Sequence, residues 1–497
     1  MVERPLVQFY RRTRTDGVLS IPEGFSLQPT PRASSESSRT FVSITPLLEI
    51  QSERPQDGGR AAWLFLFGAC IVEAVSWGFP ACFGVFREYY FTHSPFQGNT
   101  TLAVTGVLSD GCLQVLMPFL LWFLRCFPHL NKRMMWLGLV FCVMGSVGAS
   151  IATQPWQIIA SQGTFYGMGA GFLSAPVIVF MSEWFDRRQS FAYGIMFGAS
   201  GLFGALMPGI YTKLLHSFGQ RITLLSHGAG VLLLVVGAMF CIDHRIPLRK
   251  LESESEKTDV ISPTPAPFDF WKKTSFWLLG CSILTQAFAL NLPPIYLPSY
   301  ITDLHYTPAQ GAIALSLFNL ATTSGNIGFG LYTDNRNSFF STVFLSTIIG
   351  GFANILFWAE AKTLFATVVF AVIYGIFSGG FGILRSRFAA TVVGDAKDKQ
   401  QILMVLGIFT ATRGAGNVAG GFMGQSLVNE HVHAQWRIYG LRKWMPLMLF
   451  IGASMLCAGM FAGILYLQQN LNKRRERKEL DTARQWPLKR DAIGVAV

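Results

Sequence analysis

Charge is what this sequence has least of. Asp, Glu, Lys and Arg make up 14% of its 497 residues, against about 25% in an ordinary soluble domain. The few charges gather in tails and loops, leaving apolar runs of the roughly 20 residues that cross about 30 Å of hydrocarbon as a helix. A soluble core is excluded, and the lipid bilayer is the first partner the chain must have. Cysteine pairing is also lacking: none of the eight cysteines forms a Cys-x-x-Cys pair, and nearly all fall inside apolar runs, which argues against a disulfide framework or a thiolate metal site. No nucleophile–base set or metal-ligand spacing stands out, and His431 and His433 form a lone pair in a loop, so no enzyme activity, cofactor or metal is expected. The opening "MVERPLVQFYRRTRTDG" has no apolar stretch of a signal peptide, so the first membrane helix is expected to direct insertion. The net charge of +12 could suggest nucleic acid, but the excess lies in tails and loops and no such partner is expected.

What is present is a regular alternation of apolar and polar blocks. Residues 1–60, rich in Ser, Arg, Pro and Thr, read as a disordered tail. Apolar spans follow at 61–84, 103–124, 134–153, 157–181, 190–212 and 222–242. A polar linker at 243–275 separates them from spans at 276–298, 310–332, 339–359, 363–384, 401–427 and 446–468. Residues 469–497 form a basic tail. The expectation is an all-α integral membrane fold of twelve transmembrane helices, in an N-terminal half at 61–242 and a C-terminal half at 276–468. The fifth span contains "GIMFGASG" and the eleventh "GIFTATRG", as equivalent positions of parallel repeats would. With the N-terminus in the cytosol, five inward loops hold sixteen basic residues and six outward loops hold seven, which places both tails in the cytosol. The single Asn-x-Ser/Thr site, Asn99, then falls in the first outward loop, where glycosylation is topologically possible.

Every lysine and arginine can be assigned to a tail or loop except Arg413, and the acids inside spans are Glu73 and Asp110. Each costs at least ~2.5 kcal/mol at the bilayer centre, so each needs a cavity or a partner. Thr410, Arg413 and Asn417 share one helix face. Two readings stand: Arg413 anchors an anionic substrate through its planar fork, or it forms a fixed ion pair with Asp110 that clamps the halves. Ser200 holds the matching place in the fifth span, so the repeat itself does not require arginine. Glu73 is the candidate proton-binding group, because a carboxyl in a membrane cavity can be neutral or charged according to its surroundings. Asp110 is a candidate for coupling or gating. Asn326, Asn291 and Tyr374 are further candidates for lining the substrate path, with helix–helix bonding as the competing role.

The loop after span four reads "EWFDRRQSFAYG", residues 183–194. It resembles the signature of the monocarboxylate porter family of the major facilitator superfamily at Trp184, Phe185, Arg187, Arg188, Ala192 and Gly194. "DGGRAAW", 57–63, is similar to that family's other signature, with Arg60 in place of an aromatic residue and Trp63 one position late. "GLYTDNR", 330–336, resembles the superfamily's gating loop, with Asp334 and Arg336 in the motif positions; Arg187 and Arg188, in the loop joining spans four and five, are further gating-loop candidates. The resemblance spans about residues 57–468 and is strongest to fungal members. It implies a proton-linked secondary transporter in the plasma membrane, carrying monocarboxylates or another carboxylate-bearing or similar small organic solute by alternating access. Thr322 and Asn326 stand where animal lactate carriers of the family have Asp-x3-Arg, so lactate chemistry does not carry over. Export of a secondary metabolite is the alternative within transport; a non-transporting membrane sensor is the alternative outside it.

Overall fold

The computed structural model describes residues 56–185, 188–245, 269–336, 339–394, 399–428 and 441–494. Residues 1–55 of the N-terminal tail, 246–268 of the linker, Arg187, His431 and His433 lie outside the described residues.

Among the described residues the regular structure is helical, with no strand. The first half runs α1 (Gly59–Ala81), α2 (Phe83–Thr92), α3 (Ala103–Cys126) and α4 (Asn131–Ser150). It continues with α5 (Pro155–Ile158), a π turn at Ile159–Phe165, α6 (Tyr166–Trp184) and α7 (Gln189–Cys241). The second half runs α8 (Thr274–Leu290), α9 (Leu292–Asp303), α10 (Pro308–Arg336), α11 (Phe339–Phe352) and α12 (Leu364–Gly380). It ends with α13 (Leu384–Val393), α14 (Lys399–Leu427) and α15 (Met445–Gly494). Among the described residues ten helical segments are long and apolar enough to cross a membrane. One of them, Phe191–Cys241, is broken at Gly219, whose φ of 76° suits glycine alone, and so supplies two spans. The 29-residue α10 supplies another, an arrangement consistent with twelve.

The halves repeat one another in packing. In the first, α3 packs on α6, α4 on α7, and α1 on α7; in the second, α10 packs on α12, α11 on α15, and α8 on α14 and α15. Across the middle, α3 meets α14 and α7 meets α10, which are symmetry-equivalent pairs. The repeated glycines explain how these helices come close. A Cβ on Gly414 would lie 2.8 Å from the Gly111 carbonyl oxygen and Gln114 Cβ, and one on Gly201 would collide with Thr323.

The first and seventh spans are longer than their apolar runs suggest, and both bend at matching places. Cys82 (φ −91°, ψ −2°) separates α1 from α2, and Asn291 (φ −91°, ψ −4°) separates α8 from α9. Pro80 precedes one bend and Pro293 follows the other, each removing a backbone donor. Arg87 and Glu88, assigned above to an outward loop, therefore sit on α2, only 3% and 4% exposed. The correction has a physical basis: both charges find partners on α9 in the other half. Arg87 donates to the Ser299 hydroxyl and stands 4.2 Å over the Tyr296 ring, while Thr302 Oγ1 lies 3.5 Å from Glu88 Oε1. With Asn319 Nδ2 donating to the Gly204 carbonyl at 2.6 Å, these contacts join the halves from the middle of the bundle to the end marked by Thr92 and Asp303. Residues 469–494, read above as a tail, continue α15 as helix.

The core of the first half is aromatic. His227 stacks on Phe79 at 4.0 Å, its Nδ1 lies 2.8 Å from the Tyr211 hydroxyl, and its Nε2 lies 3.3 Å from the Tyr166 hydroxyl. Tyr166 spends its own proton on the Val75 carbonyl, 3.0 Å away, so it accepts from Nε2–H and Tyr211 donates to Nδ1. His227→Ala empties this site and strands the Tyr211 hydroxyl, and is expected to destabilise the half by about 2–3 kcal/mol. An unchanged thermal midpoint of the detergent-solubilised variant would contradict the network.

Candidate functional site

Two of the three intramembrane charges, Asp110 and Arg413, lie where α3, α14 and the bend before α9 meet. Asp110, seven residues into α3, is half-buried. Its Oδ2 accepts from Gln114 Nε2 at 2.8 Å, Asn291 Nδ2 at 2.7 Å and Asn417 Nδ2 at 2.6 Å. Three amides on one oxygen suit a carboxylate, which is an acceptor only. Asn291 can reach because it occupies the bend, and Asn417 because it lies on the inward face of α14. Two of the donors belong to the second half, so Asp110 ties the halves together through amides.

Arg413, one turn before Asn417, is not Asp110's ion-pair partner: no contact within 4 Å joins their charged atoms among the described residues. Its Nε and Nη1 are closed off from solvent and have no hydrogen-bond partner. The side chain instead faces Gly382, where a Cβ would stand 3.1 Å from Nη1. Of the two readings of Arg413, the fixed clamp is thus absent from this conformation. Thr410, on the same face, donates to the Leu406 carbonyl at 2.8 Å.

Arg385 was missed. It follows the apolar run at 363–384 and was assigned to a loop, but α12 breaks at Gly380 into a 3-10 turn, Phe381–Ile383, and α13 resumes the helix. This returns Arg385 to the interior, half-buried, with Nε 3.0 Å from the Gly382 carbonyl and Nη1 3.4 Å from Thr410 Oγ1. The charged groups acting on it are Arg413 and Asp110. The signal was the Gly380-x-Gly382 pair just before the charges.

The other candidates lie apart from this cluster. Glu73, on α1, is fully buried beside Ser174 and Trp77, with neither carboxyl oxygen in a closed hydrogen bond. Tyr374 is fully buried, stacked on Phe318 at 6.2 Å, with its hydroxyl 3.4 Å from the Ala289 carbonyl, a helix-packing role in this conformation. Asn326 is half-buried on α10. Asp334 and Arg336 belong to the last turns of α10, and their side chains lie outside the described residues. Asn99 is half-buried in the loop before α3, its amide oxygen accepting from the Thr101 N–H at 3.0 Å and hydroxyl at 2.7 Å. Arg188 is exposed, and the two signature-like motifs meet there. Its backbone N–H donates to Asp57 Oδ1 at 3.0 Å, the Asp57 N–H donates to the Trp184 carbonyl at 3.0 Å, and Phe65 stacks on Trp184 at 6.0 Å.

The result is a charged, amide-lined cluster between two helical repeats. Known proteins agree with that architecture. The chain is 26% identical over 439 residues to the MFS-type transporter hasB of Aspergillus fumigatus, covering 82% of this chain and 90% of that one. It is 25% identical to the aspyridones efflux protein apdF of Emericella nidulans, covering 80% and 78%. The crystal structure of the nucleoside transporter NupG superposes with a TM-score of 0.60 at 16% identity, covering 82% of this chain and 99% of that one, a likeness of fold. Residues 65–421 match the Major Facilitator Superfamily, and with most of its length accounted for the chain belongs to that family.

Proposed function

We propose that this protein is a secondary transporter that exports a partly apolar organic anion by alternating access, with Arg413 holding the anionic group. The observation that carries the proposal is the state of Arg413: two enclosed guanidinium nitrogens without partners, beside an Asp110 already satisfied by three amides. A buried donor left unmade costs about 1–3 kcal/mol, more for a charged group, and a bound carboxylate or enolate recovers it. The direction rests on the relative named for efflux of aspyridones, which favours export over the uptake of a small carboxylate. A monocarboxylate porter-like mechanism fits the Trp184–Gly194 and Asp57–Trp63 segments. Proton coupling through Glu73, a place in the plasma membrane, cytosolic termini, and gating by the Arg188 and Asp334 loops complete the proposal.

The test is transport in proteoliposomes with a panel of radiolabelled aromatic and aliphatic acids, with and without a proton gradient. For any acid carried, Arg413→Lys keeps the charge but loses the fork and is expected to cut the rate about tenfold; Arg413→Gln is expected to cut it about a hundredfold. Unchanged transport by the lysine variant would remove Arg413 from the site.

A further inference from the structure

Arg413 is not the only cation in the middle of the bundle, and the second one narrows the cargo. Arg385 and Arg413 approach Gly382 from two helices, α13 and α14. Arg385 uses Nε on the Gly382 carbonyl and Nη1 on Thr410, and Arg413 keeps Nε and Nη1 unpartnered. Beside the break at Phe381–Ile383, the missing side chain at Gly382 admits the Arg413 guanidinium, whose Nη1 stands 3.1 Å from where a Cβ would be. Among the described residues the acid acting on both arginines is Asp110, which Asn417 ties to the helix that carries Arg413. Two guanidiniums and one carboxylate, each half-buried and with Arg413 Nε and Nη1 closed off, leave one positive charge uncompensated inside the bundle. An uncompensated buried charge is strongly destabilising, so the cluster as a whole lacks one negative charge.

We propose that Arg385 and Arg413 form a two-fork clamp for an organic monoanion whose charge is shared over two oxygens, and that Asp110 sets the accepted charge. The clamp rests on the anion-anchor role of Arg413 proposed above and goes beyond it by making the local charge sum the selectivity rule. A monoanion brings the cluster to neutrality. A dianion overshoots by one, and a neutral solute leaves the excess in place. Gln114, Asn291 and Asn417 serve the rule by holding Asp110 still, because their three bonds to Oδ2 keep the carboxylate from collapsing onto either arginine.

The full-length protein in lipid nanodiscs is titrated calorimetrically with three probes of one shape class: phenylacetate, phenylsuccinate as a dianion, and phenylacetamide. Wild type is expected to prefer phenylacetate by about tenfold, the scale of one charge-assisted hydrogen bond. Arg385→Gln lowers the sum to zero and moves the preference to phenylacetamide. Asp110→Asn, close to isosteric, raises the sum to two and moves the preference to phenylsuccinate. The double variant returns the sum to one and restores phenylacetate, which no misfolded protein would do. If Arg413→Gln abolishes the preference and Arg385→Gln does not, the clamp is overturned while the single anchor stands. If neither changes it, both fall. A wild type that binds none of the probes, or all of them equally, overturns the proposal as well.

Discussion

Alanine at Gly84 is expected to open the end of the bundle that the structure closes. Gly84 lies on α2 where it crosses α9, and a Cβ there would collide with the Pro294 carbonyl oxygen and stand 3.2 Å from Pro298. Neither neighbour is a flexible tip. One is backbone and the other a proline ring, so the strain cannot be relieved by a rotamer change. Overpacking of this kind costs about 1–3 kcal/mol, which shifts a two-state balance by roughly ten- to a hundredfold. The strain falls on one state because Gly84 meets Pro294 only when the halves are shut at that end. Transport is expected to fall by about tenfold or more, since a carrier that cannot close one end cannot complete its cycle. Ser299→Cys supplies the readout: in the Gly84→Ala background a membrane-impermeant maleimide should label it about tenfold faster than in Ser299→Cys alone. Equal labelling would mean that the α2–α9 contact does not seal the molecule.

The second large effect is expected at Glu73. Glutamine keeps the shape of the protonated acid and its neighbours Ser174 and Trp77, but it cannot release a proton. Glu73→Gln is therefore expected to preserve exchange of labelled for unlabelled substrate while net flux driven by a proton gradient drops by about tenfold or more. Glu73 packs against α6 and away from the Arg413 cluster, so any coupling between them passes through movement of the halves and not through contact. Equal loss of exchange and net flux, or loss of neither, would argue against a coupling role.

Much of this architecture could be read from the sequence because lipid imposes a simple rule on it. Charges are excluded for about 20 residues at a time, and the spacing of what remains marks the spans. The same rule misled at Arg87, Glu88 and Arg385. Each was taken as the end of a span because a charge inside a helix is costly, yet each is accommodated by groups on another helix, Ser299 and Tyr296, Thr302, and Thr410, with the nearby Gly382 carbonyl added for Arg385. Helical periodicity placed Thr410, Arg413 and Asn417 on one face, and they do face the interior together. It could not show that Asn417 would satisfy Asp110 and leave Arg413 unpaired, because that depends on how α3 sits against α14. Asn291 was legible only as an amide in a membrane helix. Its importance comes from the bend, which aims it across the interface.

The length of α15 has a mechanical consequence. Fifty residues at about 1.5 Å each make a rod of about 75 Å, whereas a bilayer with its headgroups is about 40–45 Å thick. By length, about 30 Å of helix is more than the bilayer needs and would extend the last span as a lever arm. A rocking of that span by about 10° sweeps the far tip through about 5 Å, enough to make or break a contact with whatever lies beside it. The helix would thus carry the transport cycle out of the bilayer as a displacement.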